Sequence, residues 1–285
     1  METNEQRVLV LGLPETGKSS FIQALDEVLK HPSTPDALQA DGLAHDRSYI
    51  QGGKPNFLAG KKLSRNDRQE ATNSAELWFK HPPTGRRGRM YLPDEKGEVF
   101  RDQWVNRQWE RAYRDSLAGI AGALVFVRAD EKSRNDERLG NLAKLALKSK
   151  QETPFEMKGA SSQVQLVDVL QFITEHSQAP KPLRLAVLIS AWDTVGETGD
   201  RRFKDPHKFL QREWALLAQY LRTNPESFVP KVYGVSAYGG KPGELGALAE
   251  TPPHQRTRLV EGAEVSSDLT RPLLWLLQLD QVVTL

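Results

Sequence analysis

The chain has 285 residues, 38% of them hydrophobic, which suffices for one large α/β core. Its formal charge of +2 excludes a bulk electrostatic binder of nucleic acid or membrane, and the absence of cysteine excludes disulfides and thiolate-held zinc. No apolar run approaches bilayer-spanning length, and residues 1–7 lack the basic and apolar parts of a signal peptide, so a cytoplasmic location is expected.

Residues 7–11 read as a strand buried on both faces. Gly12-Leu-Pro-Glu-Thr-Gly17-Lys18-Ser19 follows and spells G-x-x-x-x-G-K-S. A helix is expected over 19–30, with Phe21, Ile22, Leu25, Val28 and Leu29 as its apolar stripe and His31-Pro32 as its stop. Strand, glycine loop and helix in that order form a phosphate cradle. The glycines let backbone N–H groups point inward, and the helix N-terminus adds partial positive charge. Gly12, Pro14, Glu15, Thr16, Gly17, Lys18, Ser19 and Ser20 are the candidate phosphate-binding residues, with Lys18 reaching the outer phosphates and Ser19 a ligand for Mg²⁺.

Residues 31–71 read as loop, broken by Pro32, Pro35, Gly42, Gly52, Gly53, Pro55 and Gly60. A strand is expected over 75–81, a turn over 82–88 and a returning strand over 89–93. Helices are expected over 102–117, 135–149, 162–176 and 207–221, and buried strands over 122–128, 183–189 and 229–235. Residues 241–257 read as loop, and Asp268 caps a last helix whose run 273–279 packs on the sheet. Strands alternating with helices predict a mostly parallel sheet with ligands at the carboxyl ends of its strands.

Three further groups fall at such ends. Asp94-Glu-Lys-Gly97 follows the strand 89–93; an Asp there can hold Mg²⁺, and the Gly can turn its N–H toward a terminal phosphate. Asp193 follows the strand 183–189, where a carboxylate can accept two hydrogen bonds from guanine that adenine cannot donate. Ser236-Ala237-Tyr238 follows the strand 229–235, with small residues that admit backbone N–H groups to the guanine carbonyl.

With these motifs in this order, the chain resembles a P-loop GTPase of the translation-factor and Ras-like (TRAFAC) class. The run Gly97-Glu98-Val-Phe100 followed by Trp104 is similar to divergent bacterial GTPases of conflict and phage-defence systems. The resemblance implies a three-layer P-loop NTPase fold of Ras-like topology, mostly parallel with one antiparallel hairpin strand. It implies a single domain over 1–285 with a long switch I loop (31–73) and a helical insertion between strands four and five (130–182). It implies GTP and GDP as ligands, Mg²⁺ as cofactor, and a two-state switch acting on a protein effector or an activating partner. Lys18 and Ser19 then serve phosphate and metal, Asp94 and Gly97 sense the terminal phosphate, and Asp193, Ser236, Ala237 and Tyr238 hold guanine. Thr72 takes the switch I threonine's place as metal ligand and catalytic group, about twenty residues before Asp94.

The departures are specific. The family's base motif begins Asn-Lys or Thr-Lys; here Ser190-Ala191 stands there, so the lysine stem that covers the base is missing. Tyr238 stands where the family has Lys, and stacking by Tyr238 or Trp192 is the expected replacement. The basic stretch Lys54, Lys61, Lys62, Arg65 and Arg68 reads either as a solvated loop or as the source of a cis arginine finger at Arg68 or Arg65. Nucleic-acid binding ranks third, with Phe57 the stretch's single aromatic and no binding motif. Two rival functions stand beside the switch: a nucleotide-binding scaffold that does not hydrolyse, and a P-loop small-molecule kinase.

Glu98 occupies the position of the glutamine that orients the attacking water in Ras-like enzymes. A carboxylate beside a triphosphate repels it, so slow intrinsic hydrolysis is expected, with help from a partner or a basic switch I residue. Glu98→Gln is expected to alter turnover measured as phosphate release; unchanged turnover removes Glu98 from that role.

Overall fold

The structure, a computed structural model, describes residues 5–42, 48–63, 74–93, 105–106, 111–130, 160–197 and 204–280. The strands are β1 (Glu5–Gly12), β2 (Gln39–Ala40), β3 (Ser74–His81), β4 (Arg86–Pro93), β5 (Ile120–Arg128), β6 (Leu183–Ser190), β7 (Phe228–Ser236), β8 (Arg258–Glu261) and β9 (Glu264–Ser266). The helices are α1 (Lys18–Lys30), α2 (Ser48–Leu58), α3 (Arg111–Ser116), α4 (Ser162–His176), α5 (Thr194–Glu197), α6 (Pro206–Glu213), α7 (Ala215–Thr223), α8 (Pro253–Arg256) and α9 (Arg271–Leu276).

A strand apolar on both faces needs a packed layer on each. Val8 and Val10 of β1 enter one hydrophobic cluster, Leu9 and Leu11 another. The alternation repeats in β5 and β6: Leu124, Phe126, Ala186 and Leu188 join the first cluster, Val125, Val127, Val187 and Ile189 the second. Helices α1, α2 and α9 supply the first through Phe21, Leu25, Phe57 and Leu273; α4, α6 and α7 supply the second through Leu170, Leu210 and Leu217. Helices therefore cover both faces of one mixed sheet.

The strand order is β2-β3-β4-β1-β5-β6-β7-β8-β9. β1 pairs in parallel with β4 and β5, β5 with β6, and β6 with β7. β3 and β8 run against them. The register aligns the strand ends: Gly12 pairs with Phe126, Arg128 with Ser190, and Ser190 with Val235. The carboxyl ends of β1, β5, β6 and β7 thus finish on one side of the sheet.

Several expectations are corrected. The stretch 241–257, read as loop, holds a 3₁₀ turn (Gly246–Glu250) and α8, and the N-cap of the last helix is Thr270, not Asp268. The sheet has two strands running against the rest, not one. The hairpin β8–β9 extends it, and strands of four and three residues are too short to show period-two alternation. The stretch 31–71 holds α2 and β2. Tertiary contacts override the Gly and Pro of α2. Phe57 is fully buried, Gly53 lets the helix approach Gln23, and Lys54 pairs with Asp26 and Glu27 of α1 at 2.8 and 2.6 Å. Burial pushes the Asp26 carboxyl up, yet the hydrogen bonds from Lys30 and Lys54 outweigh it and hold the group below its ordinary value. The helix expected over 207–221 is two helices, broken at Trp214, whose φ of −123° and ψ of 50° are not helical. Of the helix expected over 102–117 the structure describes α3 and residues 105–106; that over 135–149 lies outside the described residues.

The break at Trp214 has a built partner. Gln163 of α4 is buried, and its Oε1 accepts from Leu216 N at 3.0 Å and Leu217 N at 3.4 Å, while its Nε2 donates to Glu213 O at 3.5 Å. One amide serves the open donors that begin α7 and a carbonyl that ends α6. Gln163→Leu leaves those groups buried without it and should destabilise the fold by about 1–3 kcal/mol, read as a lowered urea midpoint at unchanged slope.

Candidate functional site

The loop between β1 and α1 curls through positive φ at Glu15 (66°) and Gly17 (90°). Glycine is required at both ends of the curl. A Cβ on Gly12, whose φ is 146°, would stand 2.8 Å from Phe126 Cβ and 2.9 Å from its carbonyl oxygen. A Cβ on Gly17 would stand 2.9 Å from both Cβ and Oγ of Ser190. Gly17 is also the N-cap of α1 and offers no side chain to its first turn, so the N-terminal N–H groups of the helix face the loop.

Side chains hold this curl. Thr16 is buried and its Oγ1 donates to Leu13 O at 2.8 Å. Lys18 Nζ donates to Gly12 O at 2.6 Å and Leu13 O at 2.7 Å, which brings its ammonium back across the loop. The cradle therefore fits a phosphate chain: backbone N–H groups at a helix N-terminus, an ammonium over the loop, and no room for larger residues at either glycine.

Neighbouring strands reach the same loop. Ser190, the last residue of β6, donates through Oγ to Thr16 O at 2.7 Å. Arg128, the last residue of β5, donates through Nη1 to Glu15 O at 3.2 Å and pairs with Asp130 through Nε and Nη2. The hydrogen bond to Asp130 raises the Arg128 pKa against the effect of burial, and the carboxylates of Asp130, Glu15 and Asp193 add to it. Nothing in the sequence motifs marked Arg128. The available signal was a cation ending an otherwise apolar strand at the ligand side of the sheet.

After Ser190 the chain turns at Ala191, whose φ is 53°. Thr194 N and Oγ1 both donate to Ala191 O, at 3.0 and 2.7 Å, and Trp192 N donates to Val235 O at 3.1 Å. This tight turn carries Asp193, half-buried, beside the end of β7. There Ser236 is buried, Ala237 is half-buried, and Gly239 N donates to Ser236 O at 3.2 Å.

Stacking of Trp192 or Tyr238 on a base is not what these rings do. Trp192 packs on Gly234, where a Cβ would lie 2.4 Å from its Cδ2, and meets Phe209 edge-on at 5.3 Å between centroids. Tyr238 packs on Phe57 at 4.8 Å, and its hydroxyl donates to Lys61 O at 3.0 Å. Both rings are core residues, so at Tyr238 the chain offers a ligand its backbone alone.

Tyr238 belongs to a larger fastening. Arg256 is fully buried and donates through Nη2 to Phe57 O at 3.1 Å and Leu58 O at 3.5 Å, the last carbonyls of α2. Its Nη1 donates to Leu248, Ala249 and Thr251 carbonyls at 3.3–3.4 Å. A cation suits the negative ends of both helical segments. Gly243 N donates to Gly60 O at 2.9 Å, so the segment after α2 is stitched to the loop after β7.

The structure thus brings together Gly12–Ser20, Asp193 and Ser236–Tyr238 on one side of the sheet. Thr72, Arg65, Arg68, Asp94, Gly97 and Glu98 lie outside the described residues. Lys54 of the basic stretch is engaged by α1. A cavity of about 300 Å³ lined by His31, His254 and Asp268 sits at the far end of α1 and contains none of these residues. Among the described residues no group of His, Cys, Asp and Glu is placed to hold a metal ion by itself, and no helix is long and apolar enough to cross a membrane.

No curated protein matches the chain. Among solved structures it is similar to a bacterial selenocysteine-specific elongation factor, EF-Sec, at 11% identity and a TM-score of 0.37. That match covers 88% of this chain and 29% of the elongation factor, so the chain spans less than a third of the longer protein. The family described as Double-GTPase 1 matches residues 9–276, from within β1 to the end of α9. The chain therefore belongs to the Double-GTPase 1 family and is a P-loop GTPase.

Proposed function

We propose that the chain is a Mg²⁺-dependent switch that binds and hydrolyses GTP and controls a partner protein in the cytoplasm. The observation that carries this reading is the bond from Ser190 Oγ to Thr16 O. It joins the phosphate cradle to the end of the strand that leads into the turn bearing Asp193. The central strand order β3-β4-β1-β5-β6-β7, with β3 reversed, supports a Ras-like topology in a single domain over 1–285. Residues 31–73 serve as switch I and 130–182 as the insertion between the fourth and fifth strands of that core.

The roles follow from chemistry at each position. Gly12 to Ser20 cradle the phosphates through backbone N–H groups, and Lys18 stabilises charge on the outer oxygens. Ser19, with Asp94 and Thr72, would hold Mg²⁺, which when bound would neutralise charge at the phosphate oxygens. Gly97 senses the terminal phosphate, and Arg68 reaches the transition-state charge in cis. Asp193 accepts the two guanine donors, while backbone N–H groups at Ser236, Ala237 and Tyr238 receive its carbonyl oxygen. Glu98 orients water poorly, so unaided turnover is slow and a partner accelerates it.

Single-turnover phosphate release with excess protein tests this reading. GTP with Mg²⁺ should be cleaved at about 10⁻³ s⁻¹ or slower, and Lys18→Ala should abolish cleavage. GTP that binds without release of phosphate makes the chain a non-hydrolysing scaffold. Phosphate passing to an acceptor other than water makes it a kinase.

A further inference from the structure

In the family this chain resembles, the lysine after the first residue of the base motif lays its stem over the purine. Here that residue is Ala191, which presents only a methyl group. Trp192 and Tyr238 are buried elsewhere. A purine running from the phosphate cradle to Asp193 therefore needs its cover from another strand.

Arg128 stands at the right level. It pairs in register with Ser190, and Ala129 N donates to Ser190 O at 2.9 Å, so the ends of β5 and β6 are locked at one height. From there its side chain bends back to the phosphate loop and meets Glu15 O at 3.2 Å. Its other donors serve one carboxylate: Nη2 meets Asp130 Oδ2 at 3.0 Å, and Nε meets Oδ1. N–H donors of a guanidinium lie in its plane. Three such bonds fix the orientation of that plane and use no part of its faces, which are what an arginine stacks with. The side chain is 35% exposed, so the group is anchored at a surface a ligand can reach.

The geometry points to Arg128 as the residue that covers one face of the bound purine, doing from β5 what the absent motif lysine does from the turn after β6. This rests on the nucleotide reading of the site given above. Stacking on a guanidinium accepts any purine, so Arg128 contributes affinity and Asp193 contributes the choice of base. The bond to Glu15 O also ties the cover to the phosphate loop, so base and phosphates are held by one element.

Calorimetry on the full chain with Mg²⁺ tests this, using GDP, ADP and tripolyphosphate as probes. Arg128→Ala should weaken GDP about tenfold and tripolyphosphate by only about two- to threefold, the latter through the lost tie to Glu15 O, with the GDP-to-ADP ratio unchanged. Adding Ala191→Lys to Arg128→Ala should recover most of the loss. The assignment is overturned if GDP binding does not fall, if GDP and tripolyphosphate fall equally (an anchor for the loop alone), or if the added lysine recovers nothing. Should Arg128→Ala not fold, Arg128→Gln carries the same comparison, with about fivefold loss expected. The wild-type chain separates the two readings. If it prefers ADP, the guanine reading fails while Arg128 is still judged by its loss on ADP. If neither nucleoside adds to the affinity for tripolyphosphate, both fail.

Discussion

The Ser190 hydroxyl, held against Thr16 O at 2.7 Å, joins parts of the chain 174 residues apart. Ser190 fills the space a Cβ on Gly17 would need, and Thr16 is buried with its carbonyl accepting from the Ser190 hydroxyl. The curl of the loop therefore depends on β6 as much as on its own glycines. Arg128 from β5 makes a second tie, at Glu15 O. A phosphate loop held this way is preorganised: its N–H groups need little rearrangement to meet a phosphate, which is the condition for electrostatic stabilisation of transferring charge. The same ties set the distance from this loop to the turn that carries Asp193, so a change at Ser190 acts on both.

A second constraint lies behind the base turn. Arg256 buries its guanidinium against the last carbonyls of α2 and the carbonyls of Leu248, Ala249 and Thr251. Removing a charge from water is expensive unless its donors are satisfied; here carbonyls at helix ends take the donors of Nη1 and Nη2, while Nε is buried without a partner and burial lowers the Arg256 pKa. With Tyr238 hydrogen-bonded to Lys61 O, the stretch after β7 is tied to the stretch after α2. The chain between Lys30 and Ser74 is thereby anchored midway, at residues 57–61.

The glycine loop between β1 and α1, the parallel core and the strand-end positions of Asp193 and Ser236 were legible in the sequence, because each follows from local rules: a glycine spacing and two-faced apolar runs that end where polar residues begin. What was not legible came from contacts distant in sequence. Gly52, Gly53 and Pro55 argue against a helix; burial of Phe57, the pairing of Lys54 with Asp26 and Glu27, and the Arg256 bonds to the last carbonyls hold α2 in place. Trp214 carries a good amphipathic pattern through the point where Gln163, some fifty residues earlier, breaks it into two helices. Trp192 and Tyr238 looked like stacking groups because aromatic residues beside a base motif suggest it; the space over Gly234 and beside Phe57 takes them into the core instead. Arg128 carried no motif, and its role emerges only when β5 is laid beside β6.

The choice of base is where the functional reading is most exposed, since cradle and sheet serve any nucleoside triphosphate. Calorimetry with GTP, ATP and XTP, on the wild-type chain and on Asp193→Asn, tests it most directly. GTP should bind the wild type at least about a hundredfold tighter than ATP, and the variant should lose GTP and gain XTP. Tighter binding of ATP than GTP, or a variant with no gain for XTP, would contradict the assignment of Asp193 as the group that reads guanine.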